Sequence, residues 1–216
     1  MSSVKDFILN ATNASACEEI EVIQSLWSGY GKISRYNLVG SAFETVIVKN
    51  IIFPSQANHP RGWDTDNSHT RKVKSYKVET AFYKNFNGFC TADCSTPKLI
   101  GATTIREEQV IILEDLDTAG FPIRKSDLTI DQVKVCLKWL SNFHAIFMWK
   151  EPEHLWETGT YWHLETRPDE FKKIELQELK SKAHLIDEKL NNCLDQTLVH
   201  GDAKLANFCF SEDGKQ

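Results

Sequence analysis

The stretch LVHGDAKLANFCF, Leu198 to Phe210, sets four chemically active side chains between two apolar ends. Leu198 and Val199 predict a short strand, Asn207 to Phe210 a second, and a polar loop joins them. His200, Asp202, Lys204 and Asn207 crowd that loop. Asp202 and Asn207 stand in a D-x-x-x-x-N spacing, which suits phosphoryl transfer to a hydroxyl. The carboxylate accepts a hydrogen bond from the attacking hydroxyl, while an amide oxygen further round the loop holds a metal on the phosphates. Lys204 would bring an ammonium to the transferred group, where negative charge needs neutralising. A polar turn between two core strands, with Asp202 capping backbone, carries the same letters. The spacing gains meaning only if a lysine strand, a helix glutamate and a hinge precede it.

With 216 residues, 41% hydrophobic and 25% charged, the composition is that of a globular chain with one domain or two small lobes. A net charge of -5 argues against nucleic-acid binding, which needs a basic surface. No apolar run reaches membrane-spanning length, and the N-terminus lacks a signal-peptide pattern. The six scattered cysteines then read as reduced thiols of a cytoplasmic protein. Cys90 and Cys94 lack a second pair at zinc spacing.

Residues 1 to 21 predict a polar helix or a loose arm. Val22 to Trp27 and Ile33 to Leu38 predict strands around Ser28-Gly29-Tyr30-Gly31, where glycines let the backbone turn and approach a ligand. A plain hairpin turn fits those glycines equally well. No G-x-x-x-x-G-K-[ST] motif occurs, which excludes a P-loop NTPase. Phe43 to Phe53 predicts a strand whose alternation puts Lys49 on the face of Ile47 and Ile51. Buried there, Lys49 needs an anion; on an outer edge it would simply face solvent. Residues 58 to 68 are loop. His69 to Asn87 predicts a helix stopped by Gly88, with Glu79 on the stripe of Tyr76, Phe82 and Tyr83. Glu79 is either the partner of Lys49 or an ordinary solvated helix residue.

Leu99 to Ile105 and Val110 to Leu113 predict a hairpin about Arg106 to Gln109. Its second strand runs into Glu114-Asp115-Leu116-Asp117 ahead of Gly120 and Pro122, a connector at which adenine would meet backbone. A long helix is expected over 130 to 149, with Thr129 and Gln132 as a capping box and an apolar face from Val133 to Phe147. His144 on that face reads as a core histidine. Residues 150 to 167 form an aromatic loop with Trp156, Tyr161, Trp162 and His163, and Pro168 opens a helix reaching about Leu190.

VIVKNI, VETAFY, ILEDLD, FHAIFMW and VHGDAKLANFCF, in that order, resemble the choline kinase-like branch of the protein-kinase-like fold. Closest is the ecdysteroid kinase-like family, related to aminoglycoside phosphotransferases. SLWSGYGKISRY, HPRGWDTD and the LWETGTYWHLETRPDEF segment resemble it too. The resemblance implies an α+β, two-lobed fold: a small antiparallel β lobe with one helix (1–117) and a mainly helical, incomplete lobe carrying the catalytic loop (118–216). It implies an ATP- and Mg²⁺-dependent kinase whose partner is a small-molecule alcohol. Lys49 would anchor phosphate with Glu79 as its helix partner, and Gly29 and Gly31 would line the nucleotide. Glu114, Asp115 and Leu116 would form the adenine hinge. Asp202 would be the base, assisted by Lys204, and Asn207 a metal ligand.

Such kinases carry a further metal-binding aspartate shortly after the catalytic loop. Asp213-Gly214 instead reads as a turn, with Asp213 a poor substitute. The expectation is therefore a part of a longer kinase, itself without activity. A nucleotide-binding pseudokinase or regulatory fragment is the alternative, and a metal-dependent phosphoesterase lacks the dispersed motifs it needs. The acceptor alcohol and the oligomeric state are not written in the sequence.

Overall fold

Ser3 is the N-cap of helix α1 (Val4–Thr12): its hydroxyl accepts from the Asp6 N–H at 3.1 Å, and the Asp6 carboxylate accepts from the Ser3 N–H at 2.9 Å. The computed structural model describes residues 3–26, 29–53, 66–159, 163–165 and 167–215. Strands β1 (Ala16–Ser25), β2 (Gly31–Val39), β3 (Thr45–Ile51), β4 (Leu99–Ile105) and β5 (Glu108–Glu114) form one antiparallel sheet ordered β1-β2-β3-β5-β4. Helix α2 (Asp66–Asn85) connects β3 to β4; α3 (Ile130–Ile146), α4 (Pro168–Lys172) and α5 (Gln177–Asn191) follow the sheet. This is the α+β arrangement expected of a kinase-like chain.

Side-chain alternation decides which helix covers which face of the sheet. Val46 and Val48 of β3 join Ile8, Cys17, Leu38, Val110 and Ile112 in a core against α1. Ile47 and Ile51 point the other way, into a second core with Tyr30, Tyr76 and Ile111. The sheet thus carries a helix on each face, not the single helix expected, and the segment read as helix or arm supplies the second. A third core joins Phe86 and Cys94 to Phe143, Phe147 and Leu198.

Several boundaries differ from the sequence reading for identifiable reasons. β1 starts at Ala16 rather than Val22, because an edge strand tolerates polar residues on its open side. The β4–β5 turn uses only Arg106 and Glu107, at φ of 47° and 73°, a left-handed pair that normally calls for asparagine or glycine. The long helix stops at Ile146, and the chain turns left-handed at Trp149, where Met148 pairs with Thr197. Its capping box forms as expected, but Val133 and Leu137 of its apolar face are exposed. The helix opened by Pro168 is broken in two: N–H groups of Lys173 and Ile174 reach back to i−3 carbonyls, and Lys180 Nζ donates to the Lys172 carbonyl at 2.7 Å. No strands flank Asp202. Thr197 and Phe210 make single bridges, to Met148 and Ile123, and Leu205–Asn207 is one 3₁₀ turn. Two apolar residues before the loop (Leu198, Val199) and three after it (Phe208, Cys209, Phe210) are too few for a ladder.

Gly31 shows how tightly the β1–β2 turn is built. At φ +112° a Cβ there would lie 2.0 Å from the Asn50 carbonyl oxygen, whereas at Gly29 (φ +75°) it would meet nothing within 4 Å. Gly31→Ala is therefore expected to cost about 3 kcal/mol or more, combining backbone strain with a clash. Gly29→Ala is expected to cost only the left-handed penalty, about 1–2 kcal/mol. Equal melting temperatures for the two variants would contradict this reading.

Candidate functional site

Lys49 sits mid-strand on β3, opposite Ile33 of β2 and Ile111 of β5, so its side chain rises from the α2 face of the sheet. Its Nζ donates to both carboxylate oxygens of Glu79 at 2.7 Å. The pair is largely sheltered, with the lysine side chain 14% exposed and the glutamate 31%. Lys49 Nζ also lies 5.3 Å from the centre of the Tyr76 ring, one turn before Glu79. The structure thus joins the strand lysine to the helix glutamate, and Lys49 does not take the solvent-facing alternative.

Gln109 holds α2 in this register, and the sequence reading passed it over as a turn residue. It is buried in β5, where its Nε2 donates to the Tyr76 carbonyl at 3.1 Å and to the Thr80 hydroxyl. The detectable signal was an amide one alternation step from the buried Ile111. On the same helix face, Tyr30 is buried between Gly29 and Gly31, with its hydroxyl 2.6 Å from His69 Nδ1 and its ring 5.9 Å from that of Tyr76. The glycine turn is thereby fastened to the helix that carries Glu79. Trp27 and Ser28 of that turn lie outside the described residues.

Beyond β5, the Glu114-Asp115-Leu116 connector folds at once into a turn. The Asp115 carbonyl accepts from the Ala119 N–H at 3.0 Å and the Leu116 carbonyl from the Phe121 N–H at 2.8 Å. The Glu114 carboxylate takes Lys98 Nζ at 3.4 Å. The Asp115 carboxylate points inward: Oδ2 accepts from Arg35 Nε at 2.7 Å and Thr45 Oγ1 at 2.8 Å, and Oδ1 from the Asp117 N–H at 3.1 Å. Burial pushes its pKa up, but the Arg35 hydrogen bond foremost, with those of Thr45 and Asp117, holds the carboxyl below its usual value. A depressed carboxylate adds stability that is complete above the unfolded value, about pH 4, and is lost as pH falls through the folded value. Acid unfolding followed by circular dichroism should therefore show a steeper loss of stability below about pH 4 in the wild type than in Asp115→Asn. Parallel curves would overturn this.

The Asp202 loop forms a second constellation. Gly201 turns the chain at φ +76°, and the Asp202 N–H donates to His200 Nδ1 at 3.3 Å. That acceptor role places the His200 proton on Nε2. The His200 ring packs edge-on to Trp139 and Phe143, and this desolvation lowers its pKa against the opposing pull of Asp202. Asn207 Nδ2 donates to the Asp202 carbonyl at 2.8 Å and to Oδ2 at 2.9 Å; Lys204 Nζ lies 3.3 Å from that same oxygen. With its nitrogen turned to Asp202, the Asn207 amide presents its oxygen on the opposite side. His144 lies outside this set; burial lowers its pKa, and its carbonyl accepts from Thr197 Oγ1 at 2.6 Å.

Among the described residues no hydrogen bond or ion pair joins the Lys49–Glu79 pair to the Asp202 group. The link between them is aromatic. Phe82 of α2 lies 5.9 Å from Phe143 of α3, which lies 6.0 Å from His200. Asp213 is held locally by Ser211 Oγ at 2.8 Å and the Lys215 N–H at 3.0 Å. An open cleft of about 680 Å³ beside Asp117, Gly120 and Asp213 is lined by none of Lys49, Glu79, Asp202 or Asn207. Trp156 meets α2 through Lys74, whose Nζ is 4.1 Å from its ring centre, and Tyr161 and Trp162 lie outside the described residues.

A five-stranded antiparallel sheet with a lysine–glutamate pair, followed by helices and an Asp/Asn loop, defines a kinase-like α+β protein. The chain belongs to the ecdysteroid kinase-like family, whose sequence model matches residues 45–181. That range takes in Lys49, Glu79 and the 114–116 connector and stops before Asp202. No curated protein matches the chain. No helix among the described residues is long and apolar enough to cross a membrane.

Proposed function

We propose that the protein is an ATP-dependent phosphotransferase acting on an alcohol group of a small molecule in the cytoplasm. The observation that carries this is the bidentate Lys49–Glu79 pair beside a glycine turn. It holds an ammonium fixed where phosphate oxygens would approach over the sheet. The lobe boundary falls at Asp117, with the nucleotide reaching the 114–116 connector from the side of the sheet. Lys49 binds phosphate, Glu79 keeps its chain extended, and the Gly29–Gly31 turn limits the site with backbone rather than side chains.

The residues present fit a magnesium–nucleotide complex. Mg²⁺ is commonly held by one or two protein oxygens while phosphates and water complete its shell. The free side of the Asn207 amide would supply one such oxygen, with its nitrogen turned to Asp202. When bound, the metal neutralises charge on the phosphates. Asp202 then orients the acceptor hydroxyl and takes its proton, and Lys204 offsets negative charge at the transferred group.

A second reading, a nucleotide binder without turnover, is favoured by one observation. No group of three or more His, Cys, Asp or Glu side chains among the described residues is arranged to hold a metal ion. A phosphotransfer screen of the native protein with Mg²⁺–ATP against an alcohol library, beside direct nucleotide titration, separates the two. Transfer establishes the first reading, binding without transfer the second, and neither sinks both. In an active protein Asn207→Ala should raise the Mg²⁺ requirement; an unchanged metal titration would remove Asn207 from the metal.

A further inference from the structure

One side chain outside the proposed site grips the connector that follows β5. Arg35, on β2, donates through Nε and Nη2 to the two Asp115 oxygens, at 2.7 and 3.4 Å. Nη2 also reaches Asp117 Oδ2 at 2.5 Å, and Nη1 engages Glu21 of β1. Asp115 is almost wholly buried, its side chain only 1% exposed. The other Asp117 oxygen lies 2.7 Å from Arg124 Nη1, and Arg124 donates to the Phe121 carbonyl at 2.9 Å. The neighbouring Ile123 exchanges backbone hydrogen bonds of 3.1 and 2.9 Å with Phe210, three residues past Asn207. Charged pairs therefore run from β2 through the connector to Arg124, and a neutral backbone bridge beside Arg124 ties that segment to the end of the catalytic loop.

We propose that Arg35 is a positioning residue that sets the 114–117 connector at the height where its backbone reads the nucleotide base. The inference rests on the phosphotransferase reading above and adds a residue to it. A guanidinium suits the task because its planar fork grips two carboxylates at once, which a single ammonium cannot reproduce. The connector needs such a grip because β5 ends at Glu114, and beyond it no ladder holds the chain. Without Arg35 the buried Asp115 carboxylate would lose its cation and the connector would shift outward toward water.

The test is a titration of the native protein with Mg²⁺–ATP, Mg²⁺–GTP and tripolyphosphate, repeated for Arg35→Met and Arg35→Lys. Base contacts carry the ATP-to-GTP affinity ratio, whereas phosphate contacts carry tripolyphosphate binding. Arg35→Met should lower that ratio about tenfold and leave tripolyphosphate binding within about twofold, because the phosphate anchor Lys49 is untouched. Arg35→Lys should recover only part of the ratio. If Arg35→Met fails to fold, Asp117→Asn removes the outer charged pairs without orphaning a buried charge, and should lower the ratio in the same direction. A ratio within about twofold of wild type in each folded variant would overturn the proposal. A wild type that binds none of the three ligands would instead sink the phosphotransferase reading.

Discussion

Replacing Asp202 with asparagine is expected to lower kcat for phosphoryl transfer by about two to four orders of magnitude while leaving ATP affinity nearly unchanged. The reason lies in what the side chain touches. One carboxylate oxygen is occupied by Asn207 Nδ2 and Lys204 Nζ, which fixes the group without using its second oxygen. That second oxygen is left to meet the acceptor hydroxyl, and an amide in its place cannot take the proton. The substitution keeps size and leaves His200 and the backbone bonds of the turn in place, so folding should be preserved. Steady-state kinetics with ATP varied, together with a direct ATP titration, test the split between kcat and binding. An Asp202→Asn enzyme turning over at the wild-type rate would remove Asp202 from the chemistry. Equal losses in ATP affinity and kcat would make it a structural residue.

Lys49→Met should act on the nucleotide instead. The methionine keeps the unbranched stem against Tyr76 but removes the charge, and Glu79 loses both of its close contacts. The expected result is a fall in kcat/KM for ATP of about 10²- to 10³-fold, the size seen when one preorganised donor to a developing anion is deleted. Glu79→Gln should fall short of that loss, because Lys49 keeps its charge and loses only its strongest orienting partner. The order of the two effects is the diagnostic. Were Glu79→Gln the more damaging, Lys49 would be serving Glu79 rather than phosphate. Melting temperatures guard against a trivial cause, since both side chains are sheltered enough that an unpaired charge destabilises.

Much of this could be read from the sequence because alternation and helical periodicity are local. They put Lys49 with Ile47 and Ile51, and Glu79 with Tyr76 and Tyr83, and those two stripes are the ones that meet. The same rules failed where distant partners override local pattern. β1 extends through Glu19 and Glu21 because Lys32 and Arg35 on β2 answer those charges, and no local signal announces them. The helix after Pro168 reads as continuous, yet it breaks over four residues that include no glycine or proline. Arg35 and Gln109 were illegible for a different reason. Each is an ordinary polar residue on a strand, and its importance comes from partners 80 and about 30 positions away. Asp115 stood out as part of an acidic connector, but the sequence could not say that its side chain turns inward to Arg35 and Thr45.

Helix α2 faces two ways. Tyr76 and Tyr83 lie against the sheet, while Phe82 and Phe86 are wedged among Phe143 of α3 and Phe147 just beyond its end. A swing of α2 large enough to part Glu79 from Lys49 would have to drag aromatic rings across one another, and close-packed rings settle in discrete arrangements instead of sliding freely. Any such motion of the helix would be a step between discrete ring packings, like a lever held by a detent. It would register as slow exchange between two sets of methyl and ring resonances, in the microsecond-to-millisecond range, and not as fast rattling in one broad well.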